Sequence, residues 1–493
     1  MNMVNLQEQF ELYINGQWKK PESGKYLETK SPSNGKLITK FAQAEKADID
    51  EAVKAARDAF EGGWKDTSTE ERAKLLNKIA DVIDENRQRL ATVESMDNGK
   101  PIRETLYVDI PAASDHFRYF ASVIRSEEDS AKTLDGHLLS LVIKEPIGVV
   151  GQIIPWNFPF LMAAWKIAPA LAAGDTIVIH PSSSTPSSLL EFTRLIDGIL
   201  PKGVFNVVTG KGSVSGEILQ HHQGLDKLAF TGSTEVGREI GISAAENLIP
   251  ATLELGGKSA NIVFDDANID KAIDGAMMGI LFNQGQVCCA GSRLFIQEGI
   301  YDQFLEKLKD KFENVIVGDP LDEKTQMGSQ INKGQVEKIK SYVDFARESG
   351  ARIVTGGKAK EVKDLPDGAF FEPTLIADIE NTNKCAQEEI FGPVLVVQKF
   401  KTEEEVIKLA NESDYGLGGA VFTSNLNVAF RVAKSVRTGR MWVNTYNQIP
   451  AGAPFGGYKK SGIGRETHKM ILNAYSQTKN IMIDLNEETS GLY

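Results

Sequence analysis

Near the start of the chain Phe10, Leu12 and Ile14 stand between polar neighbours and lead into Asn15-Gly16, the pattern of a strand entering a tight hairpin turn. Ile49, Ala52, Val53, Ala56, Ala59 and Phe60 then recur at helical spacing. Ser68 with Glu71 has the form of a capping box ahead of a second helical run, Leu75, Leu76, Ile79, Val82 and Ile83. From Val149 the texture changes to short apolar runs, VVGQII, TIVIH, VFNVV, KLAF and ATLEL, separated by segments of helical character that follow Gly-, Pro- or Ser-rich turns. This alternation predicts βαβ units. Because the runs are continuously apolar, their strands are expected to be parallel and covered on both faces, in a doubly wound sheet over residues 147–255.

After Gly256-Gly257 the pattern restarts with ANIVF, a helical stretch through Phe282, SRLFIQ, a helix around residues 301–312 and MWVN at 441–444. A second α/β unit is expected there. Two amphipathic strand candidates, residues 138–143 and 480–485, fall outside both sheets and predict an oligomerisation arm, pairing with each other or with another subunit. The expected fold class is therefore α/β: a Rossmann-like cofactor domain, a second α/β catalytic domain and a small β arm. The expected boundaries are residues 1–125 and 147–257 for dinucleotide binding, 258–470 for catalysis, and 126–146 with 471–493 for the arm.

The 493 residues are enough for two or three domains of about 150 residues. Hydrophobic residues at 41% and charged residues at 25% lie in the ordinary globular range, which excludes collagen-like, low-complexity and disordered classes. Lys and Arg number 55 against 67 Asp and Glu, a net charge of −12 with no basic run, so a nucleic-acid partner is not expected. Three cysteines, Cys288, Cys289 and Cys385, make no disulfide framework, and the start lacks a basic segment followed by an apolar one; a reducing cytoplasm is the expected location. Residues 147–165 carry no charge and approach membrane-spanning length. Pro155, Asn157 and Pro159 in their centre instead predict strand, loop and helix.

The candidate chemistry begins at Cys288-Cys289, beyond a helical stretch in a Gly-flanked turn. Taken alone, either is more often an inert small hydrophobe than a nucleophile, and Cys385 is read as structural. Glu254 sits in an apolar strand ending at two glycines, where burial would raise its pKa toward that of a general base; a strand-edge salt bridge is the alternative. Asn157, between a strand end and a helix, offers an amide to stabilise a developing oxyanion, or a helix cap. No GxGxxG is present. Gly210-Lys211-Gly212 with Gly216, and Gly232-Ser233-Thr234 with Gly237, each follow a strand; singly they are ordinary turns, and together they suggest a dinucleotide across the sheet edge. No metal-ligand set is expected.

The segments IIPWNFP, FTGST, LELGGKS, FNQGQVCCAGSR, QEEIFGPV and PFGGYKKSGIGRE, in that order and over essentially the whole chain, resemble the NAD(P)-dependent aldehyde dehydrogenase superfamily. The resemblance implies that the Cys288 thiolate attacks an aldehyde, that the Asn157 amide and the Cys288 N–H hold the oxyanion, and that Glu254 activates the water that hydrolyses the thioester. It implies a dinucleotide site from Ile153, Ile154, Pro155, Trp156, Gly212, Gly216, Phe230, Gly232, Ser233, Gly237 and Leu255. Glu389 and Gln335 are implied at the nicotinamide ribose and Phe391 near the nicotinamide. Lys166 and Glu466 match a pair thought to pass protons, with a structural salt bridge as the alternative.

Where the family commonly has Lys and Glu for the adenosine ribose, this chain has His180 and Ser183. Ser183 removes a barrier to NADP and a neutral His180 removes an attraction, so NAD is expected with NADP possible. The implied substrate tunnel is Ala112, Phe158, Trp165, Val287, Ile449 and Phe455 with Asn447 at the mouth. It lacks Arg and Lys, so a neutral, mostly aliphatic aldehyde is expected. The resemblance further implies a homodimer or homotetramer and no membrane partner. Two alternatives are a thiol-dependent esterase on the same scaffold and a CoA-acylating semialdehyde dehydrogenase; the presence of Glu254 speaks against the second.

Overall fold

The computed structural model describes residue 4 and residues 6–493. Its larger sheet runs in the order Gly462–Ile463, Ala251–Glu254, Lys227–Thr231, Val149–Ile153, Thr176–His180, Phe205–Val207, Leu12–Ile14, Gln17–Lys19. The five strands from Ala251–Glu254 to Phe205–Val207 are parallel. They are the five apolar runs read from the sequence, and nearly every residue in them is buried, as two covered faces require.

The hairpin at Asn15-Gly16 forms as expected, with φ of 55° and 68° at its two turn residues, and adds two antiparallel strands to the far edge of this sheet. The helices Lys46–Glu61 and Thr69–Glu85 also form; the Ser68 hydroxyl accepts the Glu71 N–H at 3.1 Å, which caps the second.

The second sheet has seven strands, Arg352–Thr355, Thr374–Ala377, Val394–Phe400, Arg293–Gln297, Ala260–Val263, Gly418–Phe422 and Arg440–Val443, with one antiparallel edge. The stretch 147–165 resolves into the strand Val149–Ile153, a loop, and the helix Pro159–Ala173. No helix among the described residues is long and apolar enough to cross a membrane.

Residues 138–143 and 480–484 belong to strands Leu138–Pro146 and Ser476–Asp484, which pair with each other in antiparallel register, Val142 opposite Asn480; Leu485, expected in the second strand, lies just past its end. A third strand, Ser130–Leu134, was not anticipated; its SAKTL sequence has no alternating apolar face, and it forms by pairing with Leu138–Pro146. Also unanticipated is the return of Gly462–Ile463, late in the chain, to pair with Ala251–Glu254 in the first sheet. Two residues are too short for a periodic signal.

Candidate active site

Beyond the C-terminal ends of Val149–Ile153, Lys227–Thr231 and Ala251–Glu254 lies a cavity of about 730 Å3, where open parallel sheets place their ligands. Cys288, Glu254 and Asn157 all line it.

Cys288 is half-buried in the loop after the helix Ile269–Leu281. Gly257 must be glycine, because a Cβ there would stand 2.3 Å from the Cys288 carbonyl oxygen. The chain thus brings LELGGKS and FNQGQVCC into backbone contact. The Cys288 thiol is held well above its usual range, first by hydrogen bonding with the Cys289 thiol and then by burial. Cys289 is 1% exposed, with Sγ 3.8 Å from Asn447 Oδ1. Cys385 is buried elsewhere, its Sγ 3.1 Å from the Tyr342 carbonyl oxygen.

The Asn157 side chain does not cap the helix Pro159–Ala173. Its Nδ2 donates to the Gln286 carbonyl at 2.9 Å, which commits one N–H and leaves the other. Its backbone is fixed by two further amides: Asn98 Nδ2 donates to the Trp156 carbonyl at 2.7 Å, and Asn283 Nδ2 to the Asn157 carbonyl at 2.6 Å.

Glu254 ends its strand at 3% exposure. The salt-bridge alternative fails: the strand has neighbours on both sides, and among the described residues neither carboxylate oxygen has a hydrogen-bond partner. Burial pushes its carboxyl well above the ordinary range, Glu466 pushes it further, and Lys166 opposes both. Lys166 and Glu466 are a buried ion pair, Nζ to Oε1 2.5 Å. They do not line the cavity, but the charges of both act on the Glu254 carboxyl.

Also lining the cavity, Trp156 and Phe391 meet edge to face, with centroids 5.2 Å apart. Glu389 Oε1 accepts the Gly257 N–H at 2.9 Å. Gln335 Nε2 donates to the Phe391 carbonyl at 2.7 Å, which holds the loop carrying both Glu389 and Phe391. Pro155, Gly232, Ser233 and Leu255 line it as well, and Ser233 Oγ also caps the helix Thr234–Glu246.

Other residues implied by the resemblance stand off the cavity. Gly237 lies where a Cβ would be 2.2 Å from Leu255, so it lets the helix settle onto the sheet. Ile153, Ile154 and Phe230 are strand or strand-end residues beneath the wall. His180 ends Thr176–His180, shares a 2.8 Å hydrogen bond with Ser215 Oγ, and is pushed down to about 4 by burial, so it is neutral. Gly212 and Gly216 bound a π-helical turn beside it, and Ser183 follows in the next loop.

All seven tunnel residues, Ala112, Phe158, Trp165, Val287, Asn447, Ile449 and Phe455, line the cavity. Phe158 stacks on Phe282 at 5.9 Å, and Trp165 meets Phe455 at 5.3 Å. Of the further cavity residues that sequence reasoning missed, four illustrate differing signals. Lys338 follows Gln335 by one helical turn, a spacing that would have found it. Tyr107, Val108 and Asp109 reach the cavity from a π-helical segment, Thr105–Asp109, whose register no 3.6-residue period predicts.

Residues 18–481 match the aldehyde dehydrogenase family. The chain belongs to that family. It is 48% identical over 497 residues to an aldehyde dehydrogenase of Vibrio cholerae serotype O1, covering 99% of this chain and 98% of that one. Among solved structures it is similar to an aldehyde dehydrogenase from Bacillus cereus in complex with NAD+, with 41% identity, a TM-score of 0.95 and 97% of both chains covered. It is also similar to betaine aldehyde dehydrogenase from Staphylococcus aureus in complex with NAD+, with 41% identity, a TM-score of 0.96, and coverage of 98% of this chain and 96% of that one. As an aldehyde dehydrogenase it is an oxidoreductase with a mixed α/β, Rossmann-like architecture.

Proposed function

We propose that this aldehyde dehydrogenase oxidises a neutral, mostly aliphatic aldehyde to its carboxylic acid with NAD, in the cytoplasm. The observation that carries the reading is that Cys288, Asn157 and Glu254, from three separate segments, share one cavity with Trp156, Glu389 and Phe391.

The residues present fit the nucleotide. Aromatic rings at Trp156 and Phe391 frame the inner wall, Gln335 and Glu389 offer a ribose hydroxyl an amide and a carboxylate, and Lys338 adds a cation. The neutral His180 and uncharged Ser183 suit an unphosphorylated adenosine ribose. NAD, when bound, supplies the hydride acceptor and a positively charged ring.

Cys288 Sγ attacks the aldehyde carbon, and its proton passes to Glu254, the carboxylate in the same cavity. The free N–H of Asn157 and the Cys288 backbone N–H hold the resulting oxyanion. Once the carbon is oxidised, a thioester remains on Cys288. After the first proton has left Glu254, its carboxylate takes a proton from water; the hydroxide adds to the thioester, and the departing sulfur recovers that proton, which releases the acid and the thiol. Lys166 and Glu466 carry away the proton that Glu254 took from Cys288, the one proton released per turnover. Hydrogen bonding with Cys289, burial and the charges of Glu254 and Glu389 all hold the Cys288 thiol up, and a positive ring on a bound nucleotide would favour its thiolate.

The tunnel supports a neutral substrate. Its walls are aromatic and aliphatic, and Asp109 is already paired with Lys100. The divisions 1–125 with 147–257, 258–470, and 126–146 with 471–493 are taken as nucleotide-binding domain, catalytic domain and bridging arm of a homodimer or homotetramer. The test is NADH and acid formation without CoA across neutral, aromatic and acidic aldehydes. A far higher kcat/KM for succinate semialdehyde than for acetaldehyde or hexanal would refute the substrate class, and ester hydrolysis without NADH formation from any aldehyde would favour the esterase.

A further inference from the structure

Three consecutive residues ahead of the cysteine pair lie in the left-handed region: Asn283 at φ 47°, Gln284 at 55° and Gly285 at 75°. Glycine adopts such angles freely, asparagine with some tolerance, and glutamine rarely. Gly285 has no alternative, since a Cβ there would stand 2.1 Å from the Gly392 carbonyl oxygen. Such a turn persists only where its surroundings hold it.

The holding group at its start is a carboxylate. Glu104 Oε2 accepts the backbone N–H of Asn283 at 2.9 Å, across 179 residues of chain. From that fixed backbone the Asn283 side-chain amide donates to the Asn157 carbonyl at 2.6 Å and to the Gln286 carbonyl at 3.2 Å. The Gln286 carbonyl in turn accepts the Asn157 side-chain amide at 2.9 Å. The amide assigned to the oxyanion thus bonds directly to the loop carrying Cys288, and Asn283 braces both ends of that contact.

We propose that Glu104 is a positioning residue for the carbonyl-binding amide: by holding the Asn283 N–H it fixes the left-handed turn that sets Asn157 and the Cys288 loop at their working separation. The inference rests on the roles given above to Cys288 and Asn157.

The environment suits the task. Glu104 is 6% exposed, and its strongest opposing charge is Lys100, itself fully buried, ion-paired with Asp109 and 3.7 Å from the centre of the Phe158 ring. Burial pushes the Glu104 carboxyl up to about 8, against the pull of Lys100 and the Asn283 N–H. Either protonation state keeps an oxygen for that N–H, so the bond survives titration and an amide can replace the acid.

The test compares Glu104→Gln, which keeps an acceptor, with Glu104→Met, which removes it at similar volume. The measurements are the rate of the first-turnover NADH burst, the KM for hexanal, the Kd for NAD and the Tm. Glu104→Met is expected to slow the burst by at least about tenfold, with NAD Kd little changed, whereas Glu104→Gln stays within about threefold of the unsubstituted enzyme, since a displaced oxyanion donor costs rate rather than nucleotide affinity. A burst retained by Glu104→Met, or lost equally by both variants, overturns the proposal.

Should Glu104→Met fail to bind NAD, Asn283→Gly replaces it. Glycine keeps the left-handed backbone and its bond to Glu104 but removes the side chain from Asn157; a burst slowed at least about tenfold supports the proposal, and an unchanged burst overturns it. If the unsubstituted enzyme gave no NADH from any aldehyde, the functional reading itself would fall, an outcome separate from these.

Discussion

Lys166 and Glu466, 300 residues apart in the chain, meet as an ion pair with Nζ 2.5 Å from Oε1 and essentially no solvent exposure. Its members act in opposite senses on Glu254, a carboxylate with no hydrogen-bond partner among the described residues: Glu466 disfavours the ionised form and Lys166 favours it.

That opposition makes a signed prediction. Glu254 serves as base only when ionised, so thioester hydrolysis rises with pH through its pKa. Glu466→Gln is expected to move this acid limb to lower pH, and Lys166→Met to move it to higher pH. Each variant leaves one buried charge unpaired and loses roughly 3–5 kcal/mol of stability, so both show a lower Tm. Opposite displacement of the two pH profiles separates the electrostatic effect from the shared destabilisation; displacement in the same direction would exclude it.

The vicinal cysteines are expected to differ sharply. Cys288→Ala abolishes aldehyde oxidation and ester hydrolysis alike. Cys289→Ala mostly spares both, and because hydrogen bonding with Cys289 is the largest influence raising the Cys288 thiol, it also lowers the pH at which iodoacetamide labels Cys288. A Cys289→Ala enzyme as inactive as Cys288→Ala would require the nucleophile to be reassigned.

Nucleotide choice depends on a neutral corner. With His180 buried and pushed down to about 4, its ring offers no positive charge to a 2′-phosphate, and kcat/KM is expected to be higher for NAD than for NADP. Ser183→Glu introduces repulsion toward a 2′-phosphate and is expected to lower kcat/KM for NADP by about tenfold, a difference of about 1.4 kcal/mol. Equal efficiency of the unsubstituted enzyme with both nucleotides would remove this preference.

Much of this was legible before any coordinates. The parallel strands were readable because two-sided burial makes each an unbroken apolar run, and Glu254 stood out as a lone carboxylate in one of them. The resemblance pointed to Cys288, Asn157 and the tunnel, and the cavity brings them together. What stayed hidden depends on partners distant in sequence. Nothing local marks Glu104 as the acceptor for Asn283, or Ser130–Leu134 as a strand. The cavity face of the Thr105–Asp109 segment depends on a π-helical turn that shifts the register. Lys338, one turn from Gln335, and Leu161, one turn from Trp165, were within reach of simple helical spacing.

The central claim is that Cys288 and Glu254 act in succession on one substrate carbon. It is tested most directly in Glu254→Gln, mixed with NAD and hexanal and examined by NADH absorbance and intact mass. The account predicts a burst that still reaches one equivalent of NADH per active site, formed more slowly because glutamine cannot take the Cys288 proton, then turnover slowed by roughly 10²–10⁴-fold, with an acyl adduct accumulating on the peptide that contains Cys288. Steady turnover at the unsubstituted rate, or an NADH burst that leaves no adduct on Cys288, would contradict it.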